Sequence, residues 1–309
     1  MRSHTLQLAV FALFLATPAL ADTIFFSTGT TDGKMAAATQ PDSAGKSEIE
    51  TGDDFVLTSE SLITSATFVG LVPLGTMLSD IGQVRVEIYR VFPADSNVGR
   101  TSGSPTFSTP LVPTRVNSPS DVELVDRDSA SHNLSFTPGE ISASFTAANS
   151  VLAGGIHPKP NQTTGGDLPV TGEEVEFNVI FTTPFDLRAD HYFFVPQVEL
   201  TTAGSFLWLS APRPIVPPGT QFPAGFTDLQ AWTRDQFLDP DWLRVGTDIV
   251  GGATPPTFNM TFSLTGTTVP EPSTFVLLFS GILMAAGLKH RWAKRPTEFQ
   301  RAAESVDRG

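Results

Sequence analysis

The chain has 309 residues, 40% of them hydrophobic and only 17% charged, with a formal net charge of −13. It contains no cysteine, which excludes a disulfide framework, thiol catalysis and thiolate metal sites. From Asp22 to Pro270, 28 acidic side chains stand against 12 basic ones, a formal −16, so nucleic acid and other anionic polymers are poor partners.

At the N-terminus, Arg2 and His4 precede an apolar stretch over residues 6–16, broken only by Gln7, and Ala19-Leu20-Ala21 supplies a small-x-small cleavage pattern. Residues 1–21 therefore read as a secretory signal handled by the Sec export machinery. Ala19 and Ala21 are its cleavage residues and Asp22 the new terminus. A retained N-terminal anchor is the alternative, but the apolar run is short for it.

Residues 22–265 read as one exported domain of roughly 250 residues, large enough to bury a core without staples. Residues 65–70 and 84–89 have strand composition, and the second alternates apolar with polar side chains. Residues 93–132, dense in Ser, Pro, Thr and Asp, read as a long excursion between strands. Period-two alternation resumes at 141–145 and 175–179, on either side of a second excursion over 153–172. The continuous apolar runs 192–195 and 206–209 predict centrally buried strands.

A third excursion, 211–225, contains Pro212, Pro214, Pro217, Pro218 and Pro223. Thr227 then predicts a helix cap for residues 228–238, with Leu229, Trp232 and Gln236 on one face and Pro240 as the stop. Residues 258–264 alternate again. Many short strands with Gly and Pro punctuation predict an all-β fold, an antiparallel β-sandwich or jelly roll with long loops.

Candidate chemistry in this region is sparse. His132, His157 and His191 stand outside any zinc-binding spacing, no Gly-x-Ser-x-Gly elbow occurs, and no phosphate-cradling glycine loop is present. Leu168-Pro169-Val170-Thr171-Gly172 matches the recognition sequence of Gram-positive sortases. It is followed by Glu173-Glu174-Val175-Glu176 rather than by a membrane segment, so it reads as a loop entering a strand.

Asp53 with Asp54, Asp126 with Asp128, and Asp239 with Asp241 could each offer hard oxygen ligands to calcium, Asp53 and Asp54 first among them. Solvated acidic loops are the alternative. Trp232 and Trp242, beside Arg234 and Arg244, are the surface candidates for stacking on a saccharide. A two-carboxylate glycosidase is not distinguished by sequence among so many acids. The chain is read as non-catalytic, with no cofactor beyond that calcium.

The C-terminal end carries Val269-Pro270-Glu271-Pro272, an uncharged stretch over residues 273–288, and the basic cluster Lys289-His290-Arg291-Trp292-Ala293-Lys294-Arg295. As a helix, 273–288 spans roughly 24 Å. Snorkelling basic side chains extend its reach across a bilayer and hold residues 289–309 in the cytoplasm. Residues 266–272 form the linker and motif. Pro272 lacks an amide donor and restricts Glu271, so the tripeptide stays extended and open to a protease. An ordinary C-terminal anchor with a proline-rich stem is the alternative.

This order of parts resembles the PEP-CTERM sorting signal of exported bacterial proteins, carried here by Pro270, Glu271 and Pro272. The polar tail after Pro296 is longer than that signal usually has. The resemblance implies an exosortase-type membrane protease or transpeptidase as partner, transient anchoring in the inner membrane, and delivery to the cell surface or outside. It further implies a structural or adhesive role among extracellular polysaccharide in a biofilm. Residues 53–57, 86–89, 206–209 and 262–266 look like the β-sandwich domains often found upstream of that signal. The alternative is a secreted carbohydrate-binding or carbohydrate-active protein, with or without calcium.

Overall fold

Alternating side chains commit most of this chain to strands, because each extended segment must bury one face and leaves its backbone groups for a neighbouring strand. The computed structural model describes residues 22–43, 45–100, 112–156 and 163–269. The signal segment with Ala19 and Ala21, His157, the Pro270-Glu271-Pro272 motif and the apolar stretch 273–288 lie outside the described residues. Among the described residues, no helix is long and apolar enough to cross a membrane.

The strands in chain order are β1 (Thr23–Ser27), β2 (Met35–Ala38), β3 (Ile49–Leu57), β4 (Ser61–Val72), β5 (Ile81–Arg90), β6 (Val125–Asp128), β7 (Ser135–Ala147) and β8 (Asn149–Val151). They continue with β9 (Val170–Leu187), β10 (Asp190–Leu200), β11 (Leu207–Ala211), β12 (Trp232–Asp235), β13 (Leu243–Arg244), β14 (Asn259–Met260) and β15 (Phe262–Thr268). The fold is all-β. Among the described residues, the longest helical piece is a single π-helical segment at Val245–Val250.

Two sheets form. The first has nine strands and runs β1-β15-β4-β11-β2-β8, with β9 and then β7 on the other flank of β4, and β14 beside β11. Because β9 pairs along β4 from Ser61 to Val72, β15 and β11 share the opposite edge in tandem. The second sheet has six strands in the order β13-β12-β3-β10-β5-β6, all antiparallel. Among the described residues, only β2 and β8 pair in parallel.

Aromatic side chains fill the space between the sheets. Phe194 on β10 stacks on Phe262 of β15, centroids 4.9 Å apart, and Phe26 on β1 reaches Phe55 on β3 at 6.3 Å. Within the first sheet, Phe68 and Phe177 stack at 4.9 Å, and Phe206 meets both edge-on. Trp208 is fully buried, its indole N–H donating to the Thr261 carbonyl at 2.8 Å. Burial of each such ring is worth about 1.5–3 kcal/mol, which makes this layer the main stabilising element.

The predicted strands at 65–70, 84–89, 141–145, 175–179, 192–195, 206–209 and 258–264 fall on β4, β5, β7, β9, β10, β11 and β14 with β15. The predicted helix over 228–238 does not form. Trp232, Thr233, Arg234 and Asp235 instead pair with Gly52, Thr51, Glu50 and Ile49 as β12, and a turn follows. The edge of β3 offers a row of unpaired amides and carbonyls, and covering it outweighs a weak local helix preference. The 93–132 excursion is also less irregular than predicted, since it contains β6.

The sortase-like segment has a structural explanation. Val170, Thr171 and Gly172 open β9, where Thr171 shares a 2.7 Å hydroxyl contact with Thr146 of β7. A Cβ on Gly172 would lie 2.4 Å from the Val72 carbonyl oxygen, so only glycine fits this approach.

Candidate functional site: buried carboxylates and a neighbouring cleft

β3, Ile-Glu-Thr-Gly-Asp-Asp-Phe-Val-Leu, is buried at every position although three of its nine residues are acidic. Alternation sends Ile49, Phe55 and Leu57 into the core between the sheets, together with Asp53, whose Oδ2 accepts the Met260 amide at 2.8 Å. Glu50, Gly52 and Asp54 point to the opposite face. There a second apolar cluster of Tyr89, Phe193, Val195, Leu229, Trp232 and Trp242 covers the second sheet. The loops before and after β12 and the segment around Ser118–Asp121 form its roof.

Under that roof, Glu50, Glu87, Tyr89 and Arg234 form one network. The Tyr89 hydroxyl donates to Glu50 Oε1 at 2.5 Å, and Arg234 Nη2 donates to the same oxygen at 2.9 Å and to the Tyr89 oxygen at 3.0 Å. Arg234 Nε closes the fork on Glu50 Oε2. The guanidinium lies 4.3 Å from the centroid of Trp242.

Burial pushes Glu50 upward, but the Arg234 charge and the hydrogen bonds from Arg234 and Tyr89 outweigh it and hold its carboxyl below the usual range. Glu87 goes the other way. Burial first and the neighbouring Glu50 charge second push it well above the usual range, against the pull of Arg85. The phenol has one proton, given to Glu50; the 3.2 Å contact between Tyr89 and Glu87 is a hydrogen bond when Glu87 carries its own.

One carboxyl held low beside another pushed high is the division of labour a glycoside hydrolase needs. Here, however, Glu50 is 5% and Glu87 2% exposed, and Arg234 Nη1 is spent on the carbonyls of Asp121 and Pro240. A saccharide has no approach to either oxygen. The arrangement fastens β12 and the roof to β3 and β5.

Asp53 and Asp54 do not converge on a cation. As neighbours on a strand they project to opposite faces of the sheet. Asp54 Oδ2 faces His191 Nε2 at 2.6 Å, and both its oxygens accept the Leu229 amide at 3.1 Å. Asp53 Oδ1 is buried without a partner among the described residues. Burial drives both carboxyls well above the usual range, reinforced for Asp53 by the Asp54 charge and for both by Asp228.

Burial likewise pulls His191 down to about 4. The imidazole meets the rings of Phe222 and Phe226, and among the described residues no serine hydroxyl bonds to it. His132 sits in a loop with φ +59°.

The other acidic pairs are also engaged. Asp126 faces Arg85 at 3.3 Å, and Asp128 accepts from Gln83 Nε2 at 2.6 Å. Asp239 pairs with Arg234 at 3.0 Å and Asp241 with Arg100 at 2.9 Å. Among the described residues, no group of three His, Asp or Glu side chains is arranged to hold a metal ion.

Trp232 and Trp242 are core residues rather than surface platforms. They are 1% and 2% exposed, and the Trp242 indole N–H donates to the Ser120 carbonyl at 3.1 Å. The roof that buries them consists of loop segments with no periodic pattern, so their local sequence carries no sign of it.

Phe237, in the turn after β12, is 77% exposed. It borders a cleft of about 380 Å³ lined also by Gln40, Lys46, Ser47, Asp235 and the backbone around Gly154 and Gly204. An adjoining, more apolar cleft of about 350 Å³ shares Gly154 and Gly204 and continues toward Leu71, Leu152 and Val170. The turn at 235–238 was hidden from sequence by the helix predicted over it.

Comparisons with protein-family models, with curated proteins and with solved structures return no match for this chain.

Proposed function

We propose that this chain is a non-catalytic exported protein, sorted through its C-terminal Pro-Glu-Pro signal to the cell surface or extracellular polysaccharide matrix, where it acts structurally or by adhesion. The observation that carries this reading is the pairing of β1 with β15, which sets Thr23 opposite Thr267. β1 begins two residues after the expected signal cleavage at Ala21. β15 ends at Thr268, two residues before Pro270. The β-domain thus uses the chain between the two processing signals, and both of its ends leave side by side from one corner of the first sheet.

Such a layout suits a domain cut at both ends. Removal of residues 1–21 and scission at Glu271 would leave every strand intact, and a single tether would hold the domain at the outer membrane face before release. The buried carboxylates support the non-catalytic part of the reading, because the pairs that resemble hydrolase chemistry are locked beneath loops.

The test is expression of the full chain, tagged within an exposed loop, in a host with and without an exosortase. The expected result is a shorter form at the surface or in the medium only when the enzyme is present, and accumulation of the longer form at the inner membrane for Glu271→Ala. Full-length protein confined to the cytoplasm would overturn the proposal.

A further inference from the structure

We infer that the cleft bordered by Phe237 is a binding subsite for a neutral saccharide, an assignment that rests on the reading of this chain as a matrix protein and names the polymer face it would grip. Phe237 presents its ring to solvent while its backbone is fixed, because Asp235 Oδ1 accepts the amides of Phe237 and Leu238, both at 3.0 Å. Gln236 Nε2 donates to Ser47 Oγ at 2.9 Å and ties this turn to the opposite wall. A large apolar ring held open to water beside a polar cleft is the arrangement that stacks on the C–H face of a pyranose.

The remaining wall suits hydroxyl groups. Gln40 is 4% exposed and lines the cleft; its Nε2 donates to the Ser47 carbonyl at 2.9 Å, whereas its Oε1 is a buried acceptor with no partner among the described residues. A small shift of the Gln40 side chain toward the cleft would expose that oxygen, and a ligand hydroxyl would supply the missing donor. The two charges at the cleft are already engaged: Lys46 Nζ donates to the carbonyls of Leu200 and Thr202 at 2.6 and 2.8 Å, and Asp235 caps its own turn. One positive and one negative side chain leave the cleft without a net charge, and the formal −16 between Asp22 and Pro270 repels acidic glycans. Neutral polyols fit both conditions.

The test is affinity electrophoresis of the full chain, purified in a detergent that carries no sugar headgroup, through gels containing dextran, laminarin, mannan or alginate. The expected result is retardation by at least one of the three neutral polymers, weakened about tenfold or more in Phe237→Ala and kept in Phe237→Trp, with the thermal midpoint of both variants unchanged. Because Phe237 lies outside the core, its replacement reads the surface rather than the fold. Equal retardation of Phe237→Ala, retardation by alginate alone, or none in any gel would overturn the inference. Failure here with exosortase-dependent sorting intact removes the saccharide subsite alone; glycan binding without sorting removes the delivery route instead.

Discussion

Phe194 and Phe262 lie face to face across the gap between the two sheets, their centroids 4.9 Å apart and their planes 6° from parallel. Phe262 also meets Phe26, Phe55 and Trp208, so one ring joins strands of both sheets. Phe262→Ala would leave a cavity walled by other rings. Its expected cost is about 3–5 kcal/mol in urea unfolding, with an unchanged slope, while Phe262→Leu should recover a large part of it.

Gly70 on β4 packs beneath Phe206. A Cβ there would fall 2.3 Å from the ring and 2.6 Å from the Leu207 carbonyl oxygen. Gly70→Ala should therefore destabilise by about 1–3 kcal/mol or more through overpacking. Adding Phe206→Leu should recover only part of this, because the carbonyl contact stays. Full recovery in the double variant, measured by the same unfolding curves, would place all of the strain in the ring.

Arg234 and Glu50 form a buried pair whose partners need each other. Arg234→Met strands the Glu50 carboxylate, an expected loss of about 3–5 kcal/mol near neutral pH. Glu50→Gln with Arg234→Met removes both charges and should cost less than the single Arg234 change. The single variant's deficit should also shrink in acid, as its Glu50, freed from the arginine that held it down, takes up a proton. A double-mutant cycle at two pH values measures each of these differences.

The buried acids and His191 should act oppositely on stability as pH changes. His191, held at about 4 against an ordinary 6.5, binds its proton more readily when unfolded, so it removes stability as pH falls from 6.5 toward 4. Asp53 and Asp54, raised by burial, bind protons more readily when folded, so each removes stability as pH rises above 3.8 through its folded value. Asp53→Asn should accordingly lessen the fall in stability toward high pH. His191→Gln, which keeps a hydrogen-bonding partner for Asp54, should flatten the rise between pH 4 and 6.5. Thermal midpoints across that range separate the two.

Most of the secondary structure could be read from residue order, because a strand with one buried face writes its orientation into every second residue. β5 and β9 declare themselves in this way, and the unbroken apolar runs of β10 and β11 announce burial on both faces. The failures share one cause. Asp53 and Asp54 read as calcium ligands or a solvated acidic loop, and residues 228–238 read as a helix because Leu229, Trp232 and Gln236 fall at helical spacing. What decided both was contact with distant chain: the loop roof over Glu50, and the open edge of β3 waiting for Trp232 to Asp235.

By itself the amino-acid order determined an all-β body between two uncharged apolar runs, since period-two patterning and the runs of uncharged residues near each terminus are local properties. Only the tertiary structure decided which carboxylates are buried, that Trp232 and Trp242 are core while Phe237 faces water, and that Thr23 and Thr267 are neighbours. Burial and proximity arise from segments far apart in sequence, and side-chain type alone does not encode which segment will cover it.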